Sequence, residues 1–357
     1  MKLGFGLYKR IINRDNFRFA KQAGATHLVL QLVDYIQSDK NPSLTGNFLD
    51  GWGTTNNRDK LWQYEELAAI KKEIESEGLV WEAVENFDPA HWYDVLLDGP
   101  EKLKQIENLK QTLKVLGKVG VKIVGYNFSV PGVWGWTSKP SGRGGAKSVE
   151  FDQNQVDVNA PIPKGMVWNM TYDTDPAEKG FLKPVSREEM WSRLQFFLNE
   201  LMPVAEENNI KLIAHPEDPP LPEMRGFAKL FYSPSEYERL LKAYDSPSNG
   251  FEFCMGTVQE MPGSDIYDML DRFSKQGKIG YVHSRNVVGK VPNYREAFID
   301  EGDIDIIKAL RILKKNNYDG IIIPDHTPEM TCDAPWHGGM AYAMGYLKAA
   351  IQMVESE

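Results

Sequence analysis

The sequence predicts a (β/α)8 barrel, an α/β fold in which eight parallel strands alternate with helices. Short apolar runs alternate with stretches of helical periodicity eight times along the chain. The length of 357 residues suits one decorated barrel domain, residues 1–357. No glycine-rich phosphate loop stands between a predicted strand and a predicted helix, which argues against the competing doubly wound open sheet.

The first half of the chain carries four of the predicted strands and a long insertion. The strands are expected at 3–7, 26–32, 79–85 and 121–128, and the helices at 14–25, 58–78 and 101–120. A polar loop precedes the second helix and runs to about residue 60. The stretch from about 129 to 186 is rich in Gly, Pro, Trp and Ser, so we expect an insertion that serves as a lid or an oligomer arm.

The second half repeats the alternation without a long interruption. Its strands are expected at 211–215, 250–254, 279–283 and 320–325, and its helices at 186–209, 233–244, 264–277, 302–317 and 337–355. The segment SREE at the start of the fourth helix resembles a capping box. Strands separated by helices imply a parallel sheet, and eight of them suggest closure into a barrel.

Composition and charge narrow the class of protein. Hydrophobic residues make up 42% of the chain and charged residues 25%, as in globular proteins. No apolar run approaches the ~20 residues that span a bilayer, and the start MKLGFGLYKR becomes charged too early for a signal peptide. We therefore expect a cytoplasmic protein without a membrane partner. The net charge of −9 opposes a nucleic-acid partner.

Four potential metal ligands end the last four predicted strands: His215, Cys254, His283 and Asp325. The ends of neighbouring strands converge on one face of a parallel barrel, so these side chains are expected to meet. Imidazole and thiolate favour Zn²⁺, Fe²⁺, Co²⁺ or Ni²⁺ and also tolerate Mn²⁺. Each residue alone has an ordinary structural explanation, such as a buried thiol or a helix cap, and only their agreement predicts a metal site.

Two residues beside these ligands are candidates for chemistry. His326 follows Asp325 directly and is a candidate acid or base, because imidazole titrates in the useful range. Arg285 lies two residues after His283, and its planar fork suits a substrate carboxylate. A salt bridge on the barrel rim is the alternative for Arg285.

Four further polar residues are candidates for substrate binding. Glu217 and Asp218 follow His215 and either orient imidazoles, hold substrate hydroxyls or form a turn beside Pro219. Glu85 and Asn127 end the third and fourth strands and could bind sugar hydroxyls, with packing or capping as the alternative.

Longer motifs around these residues resemble one known family. HPEDPP, FCMGT, VHSRN and PDH follow four successive strands, and with LVWEAVEN, VKIVGYNF, EFDQ and GDIDIIKAL they are similar to mannonate dehydratases. The resemblance covers most of the chain in order. It implies a xylose-isomerase-like barrel that depends on a divalent metal, commonly Mn²⁺. That family removes water from D-mannonate to give 2-keto-3-deoxy-D-gluconate in hexuronate breakdown.

The resemblance also implies roles for individual residues. It assigns the metal to the four strand-end residues: His215, Cys254, His283 and Asp325. It makes His326 a catalytic acid or base. A tyrosine near the C-terminus serves catalysis in the family, and Tyr342 is the candidate, although its spacing to Gly345 differs by one from the family pattern.

Several pocket residues of the family are replaced in this chain. The family motif RPDHGHQM corresponds to IPDHTPEM at 323–330, without the arginine and the second histidine. The motif DWTRT corresponds to GWTSK at 135–139, and Arg295 and Ile299 replace two histidines. The retained ligands with an altered pocket suggest a relative that acts on another sugar acid, or on a sugar derivative by a related reaction.

The resulting prediction is a metal-dependent hydro-lyase that converts a sugar acid into a 2-keto-3-deoxy acid by β-elimination. A metal-dependent sugar isomerase or epimerase on the same barrel is the first alternative, and a non-catalytic sugar-acid-binding barrel is the second. A homo-oligomer is also expected.

Overall fold

Eight parallel strands close into a barrel in the computed structural model, which describes residues 1–33, 53–55, 60–173 and 180–357. The strands are β1 (Lys2–Tyr8), β2 (His27–Gln31), β3 (Val80–Val84), β4 (Ile123–Tyr126), β5 (Lys211–Ala214), β6 (Asn249–Cys254), β7 (Ile279–His283) and β8 (Ile321–Ile323). Each strand pairs with the next in chain order, and β8 returns to β1. The predicted barrel is confirmed, and the open sheet is excluded.

Helices follow the strands and cover the outside of the barrel. The described residues form α1 (Arg14–Gln22), α2 (Tyr64–Ser76), α3 (Tyr93–Leu97), α4 (Lys102–Val119), α5 (Arg187–Glu207), α6 (Pro234–Ala243), α7 (Met255–Glu260), α8 (Ile266–Lys275), α9 (Ile306–Lys315) and α10 (Pro335–Ser356). The capping box predicted at Ser186 is present, with Glu189 as its partner. The short helices α3 and α7 were not predicted, and α7 begins directly after Cys254.

The inside of the barrel is filled by a layer of apolar side chains. Its members are Val29, Ala83, Ile123, Ile213, Tyr281, Ile321 and Ile323. Glycine is required at position 125 of β4, because a Cβ there would overlap the backbone oxygen of Glu85 and would lie 3.2 Å from Oε2 of Glu252. Strands buried on both faces are expected where helices cover the outside and side chains fill the inside.

The predicted insertion is joined to the loop after β7 by an antiparallel sheet of four strands. Two of these strands, Thr137–Lys139 and Ser148–Asp152, belong to the insertion. The other two, Asn286–Lys290 and Asn293–Ala297, form a hairpin that the sequence analysis did not predict. The role of the insertion as a lid or oligomer arm, the single-domain boundaries and the homo-oligomer all remain predictions.

Some predicted segments lie outside the described residues. They include most of the polar loop before residue 60, the first two residues of the predicted second helix, and residues 174–179 of the insertion. Within the described ranges, no helix has both the length and the apolar character needed to cross a membrane.

Candidate metal centre

The C-terminal ends of β5 to β8 carry the four predicted ligands on one face of the barrel. Cys254 and His283 are the last residues of β6 and β7 and pair directly in the register of the two strands. His215 follows β5 by one residue, and Asp325 follows β8 by two. The side chains do not form one group of four. They form two groups of three that share His283, and a fifth residue, Glu252, completes the first group.

The first group consists of His215, Glu252 and His283. Oε1 of Glu252 lies 3.5 Å from Nε2 of His215 and 3.0 Å from Nε2 of His283. Nδ1 of His215 faces the backbone oxygen of Pro216 at 2.6 Å, which directs Nε2 towards Glu252. The hydroxyl of Tyr281 donates to the other carboxylate oxygen of Glu252 at 2.7 Å.

The second group lies on the opposite side of the His283 ring. Nδ1 of His283 is 3.5 Å from Oδ2 of Asp325, and Sγ of Cys254 is 3.9 Å from the same oxygen. Within the described chain, both ring nitrogens of His283 and Oε1 of Glu252 are buried, and they contact carboxylate or imidazole atoms at ion-pair distances without forming a well-aligned hydrogen bond. Nitrogen, sulfur and carboxylate donors in this arrangement suit a divalent transition metal.

Two acidic side chains, Glu85 and Glu252, lie close together on the Nε2 side of His283. Glu85 lies 3.9 Å from Nε2 of His283 and accepts a hydrogen bond from Gln31 at 2.9 Å. Burial raises the pKa of Glu85, and the nearby charge of Glu252 raises it further, to about 8. Burial alone would also raise the pKa of Glu252, but the charges of His283 and His215 keep that pKa below its ordinary value. A cation in this region would stabilise the acidic groups.

A pocket opens above these residues at the C-terminal face. It is lined by residues from six of the barrel strand ends and from the insertion: Tyr8, Gln31, Glu85, Asn127, Ser129, Gly132, Val133, Trp136, Trp168, His215, Pro216, Glu217, Asp218, Asp325 and His326. The substrate-binding candidates Glu85, Asn127, Glu217 and Asp218 therefore line one cavity with two of the predicted ligands. Such a concave site, with aromatic walls and convergent polar groups, is typical of a small-molecule pocket.

His326 lies on this pocket and is held by two carboxylates. Its Nδ1 is 2.6 Å from Oε1 of Glu296, and its Nε2 is 3.3 Å from Oδ1 of Asp325. Burial alone would lower the pKa of the imidazole, but the charges of Asp325 and Glu296 outweigh burial and raise that pKa to about 9. The ring of Trp136 meets the imidazole edge-to-face at 5.3 Å. His326 is thus positioned within reach of a bound substrate.

Arg285 does not line the pocket but lies in a cluster of buried acids. Its Nη2 donates to Asp218 at 2.6 Å and its Nη1 to Glu296 at 2.8 Å. Nη2 is also 3.2 Å from Glu260, and Nε is 3.5 Å from Asp325. The side chain is only 1% exposed. The guanidinium is therefore occupied by carboxylates of the protein itself, and its predicted catalytic role as a carboxylate anchor remains a prediction.

Replacement of Arg285 by methionine is expected to lower the free energy of unfolding by about 3–5 kcal/mol, because it leaves buried carboxylates without their cation. Urea denaturation would measure the change. The matched control is Arg143→Met, since Arg143 pairs with Asp300 while 46% exposed, and loss of such a surface pair is expected to cost under about 1 kcal/mol. Equal losses in the two variants would contradict this assignment of Arg285.

Glu217 and Asp218 line the pocket, but both are buried and contact other side chains of the protein. Oδ1 of Asp218 accepts a hydrogen bond from the hydroxyl of Tyr294 at 2.6 Å. Burial raises the pKa of Glu217, although the ammonium group of Lys229, 3.4 Å away, opposes this shift.

Tyr342 lies elsewhere, on α10, with its hydroxyl 3.4 Å from Nη2 of Arg143. Tyr342 is not among the residues that line the pocket, and its catalytic role remains a prediction.

Several residues of the site were missed by the sequence analysis, and three of them show why. Glu252 lies within a strand that is buried at all its positions, and an acid in such a strand is itself a usable signal. Tyr8 ends β1 at the pocket, where the other strand-end candidates lie. The role of Glu296 could not be predicted from the neighbouring sequence. It lies on a hairpin whose sequence shows no strand–helix alternation, and it contacts His326 only in the folded protein.

A family model and a relative of known function both match the sequence of this chain. A family model described as D-mannonate dehydratase (UxuA) matches residues 35–355. The chain is 31% identical over 278 residues to mannonate dehydratase 2 of Halalkalibacterium halodurans, which covers 74% of this chain and 79% of that protein. The chain belongs to the D-mannonate dehydratase family.

Solved structures agree with the fold of this family. The crystal structure of mannonate dehydratase from Streptococcus suis serotype 2 has a TM-score of 0.77 at 23% identity, over 100% of this chain and 94% of that one. A xylose isomerase domain protein from Planctomyces limnophilus has a TM-score of 0.57 at 9% identity, over 100% and 98%. The expected xylose-isomerase-like barrel is confirmed, and the family is that of a carbon–oxygen hydro-lyase.

Proposed function

We propose that this protein dehydrates a sugar acid to a 2-keto-3-deoxy acid with the help of a divalent cation, Mn²⁺ in the first instance. Fe²⁺, Co²⁺, Ni²⁺ and Zn²⁺ also suit the donor atoms. The observation that carries the proposal is the cluster of buried imidazole, thiol and carboxylate groups below a pocket that His326 also lines, in a chain of the D-mannonate dehydratase family. His215, Cys254, His283 and Asp325 remain the proposed ligands from the resemblance.

The reaction is a β-elimination. A proton leaves C2 of the sugar acid, the hydroxyl at C3 leaves as water, and the enol takes up a proton at C3 as it becomes a 2-keto group. The bound cation supplies Lewis acidity towards the oxygen atoms of the substrate. His326 is the proposed group that carries a proton at its Nε2, while Glu296 holds its Nδ1.

The walls of the pocket are proposed to place the substrate. The amide of Gln31, the side chain of Asn127 and the carboxylate of Glu85 offer partners for sugar hydroxyls. The rings of Trp136 and Trp168 present flat apolar surfaces that limit the access of water. Because several family residues around this pocket are replaced, D-mannonate is one member of the substrate class to be tested and not the assumed substrate.

The test is to incubate Mn²⁺-loaded protein in D₂O with a panel of aldonates, beginning with D-mannonate, and with uronates and ketoses. Dehydration is expected to give a product lighter by one water that carries deuterium at C3, seen by mass spectrometry and NMR. A product of unchanged formula would support the isomerase or epimerase alternative. Saturable binding without turnover across the panel would support the binding barrel.

A further inference from the structure

We propose that Tyr8 is a catalytic residue whose hydroxyl donates a hydrogen bond to the oxygen that leaves from C3 of the sugar acid. The inference rests on the proposed dehydration and adds a second group to it. The elimination acts on two adjacent carbons, because C2 loses a proton while C3 loses a hydroxyl. His326 carries the proton, and the leaving oxygen needs a donor of its own because hydroxide is a poor leaving group.

The alternation of side chains along β1 directs Tyr8 into the mouth of the barrel. Phe5 and Leu7 belong to the large apolar core, and Phe5 packs against α1 outside the barrel. Gly6 faces the opposite way, because a Cβ there would lie 3.4 Å from the side chain of Ile323 in the inner layer. Tyr8 stands two residues after Gly6, so its ring lies on the inner face, at the C-terminal end of the strand.

Tyr8 and His326 extend from neighbouring positions on the rim of the pocket. Tyr8 ends β1, which pairs with β8, and His326 follows β8 by three residues. Both residues line the pocket. Neighbouring strands lie about 4.7–4.9 Å apart, so two side chains on adjacent strand ends can reach adjacent carbons of one substrate.

The ring of Tyr8 is held from two sides. Its centroid lies 6.2 Å from that of Trp336 on α10, with the two planes tilted by 54°. The ring also packs against the small apolar cluster that contains Trp168, which lines the pocket. A donor fixed in this way by packing on a strand end is already oriented before the substrate binds.

The charges around Tyr8 keep its hydroxyl protonated. Burial raises the pKa of Tyr8 well above its ordinary value, and the charges of Asp325 and Glu85 raise it further. The phenol is therefore a hydrogen-bond donor at neutral pH. It keeps its own proton during the reaction, because the proton lost from C2 and the hydroxyl lost from C3 together make the water.

Other donors of the pocket wall are already engaged with the protein. Among the described residues that line the pocket, Tyr8 and Ser129 are the two that carry a hydroxyl. Ser129 hydrogen-bonds the carboxylate of Glu217, and the indole of Trp136 donates to Tyr294 at 2.8 Å. The hydroxyl of Tyr8 is thus the best-placed neutral donor for the leaving oxygen.

The first experiment follows Mn²⁺-loaded Tyr8→Phe in D₂O with D-mannonate, or with the member of the panel that the wild type dehydrates. Elimination is expected to fall by about 10²–10³-fold, the usual cost of one donor to a developing charge. Removal of the C2 proton does not need the hydroxyl of Tyr8, so the recovered substrate should carry deuterium at C2. The ratio of exchange to elimination, measured by mass spectrometry, should rise at least about tenfold above that of the wild type.

Tyr126→Phe is the matched control. Tyr126 also ends a barrel strand and loses the same hydroxyl, but its ring packs against Phe197 at 4.9 Å and it does not line the pocket. This variant should keep the wild-type rate and ratio. A purely structural role of Tyr8 would lower exchange and elimination together, so an unchanged ratio in Tyr8→Phe would overturn the proposal, as would an unchanged rate of elimination.

A second measurement decides the matter if Tyr8→Phe does not fold. Crystals of the slow variant His326→Asn, soaked with Mn²⁺ and the same substrate, should place the C3 oxygen about 2.5–3.0 Å from the hydroxyl of Tyr8. A C3 oxygen out of reach of Tyr8 would overturn the role of this residue and leave the proposed function standing. Wild-type protein that dehydrates no member of the panel would overturn both.

Discussion

Replacement of His326 by asparagine is expected to lower kcat by about 10²–10⁴-fold, the usual contribution of a positioned acid or base. The imidazole lies on the pocket and is fixed by Glu296, at 2.6 Å, and by the edge-to-face contact with Trp136. Asparagine keeps a polar group of smaller size there but cannot take up or release a proton near neutral pH. KM is expected to change little, because the interaction acts in the transition state. Steady-state kinetics on the substrate identified by the panel would measure both constants.

The control for this variant is a histidine that the site does not use. His337 on α10 contacts Oδ1 of Asn16 through Nε2 at 2.9 Å and does not line the pocket. His337→Asn should therefore keep the kinetic constants of the wild type. If His326→Asn retained kcat within about tenfold of the wild type, a general acid–base role for His326 would be refuted.

Removal of the cation by a chelator is expected to abolish activity, by at least about 10³-fold, since Lewis-acid stabilisation is worth several kcal/mol. Added Mn²⁺ should restore it, and Fe²⁺, Co²⁺, Ni²⁺ or Zn²⁺ should restore it to different extents. Ca²⁺ should not, because this ion prefers six to eight oxygen ligands, and the two candidate groups supply imidazole nitrogen and thiol sulfur. Cys254→Ala is expected to lose metal and activity together.

Metal analysis before and after chelation, with circular dichroism to verify the fold, completes this test. Full activity in a protein shown to be metal-free would end the proposal of a metal-dependent dehydratase. Full retention of both metal and activity in Cys254→Ala would remove only that residue from the ligand set.

The barrel and the convergence of the strand ends were predictable from the sequence for a physical reason. The period of strand and helix fixes a parallel sheet, and parallel strands present their C-terminal ends on one face. Cys254 and His283, which end two adjacent strands in register, could therefore be placed together from the order of the residues alone. The same argument predicted that His326 lies at this face, because it directly follows Asp325.

The rest of the site depends on contacts between distant parts of the chain. Arg285 is a reasonable anchor for a substrate carboxylate until its four acidic neighbours are located. Three of them come from other segments of the barrel face, namely Asp218 after β5, Glu260 at the end of α7 and Asp325 after β8. The fourth, Glu296, lies on the hairpin that follows Arg285. Glu252 was missed because a strand of the barrel was interpreted as core throughout. The hairpin that carries Glu296 has no period that distinguishes it from a loop.

The antiparallel sheet above the barrel limits how this protein can be recombined with its relatives. Residues 293–295 pair with residues 150–152 of the insertion, and the next residue along that strand is Glu296, which holds His326. A chimera that receives a foreign insertion but keeps its own hairpin would lose the strand pairing that positions Glu296 next to His326. Exchange of substrate preference between family members should therefore succeed only when both segments are transplanted as one cassette.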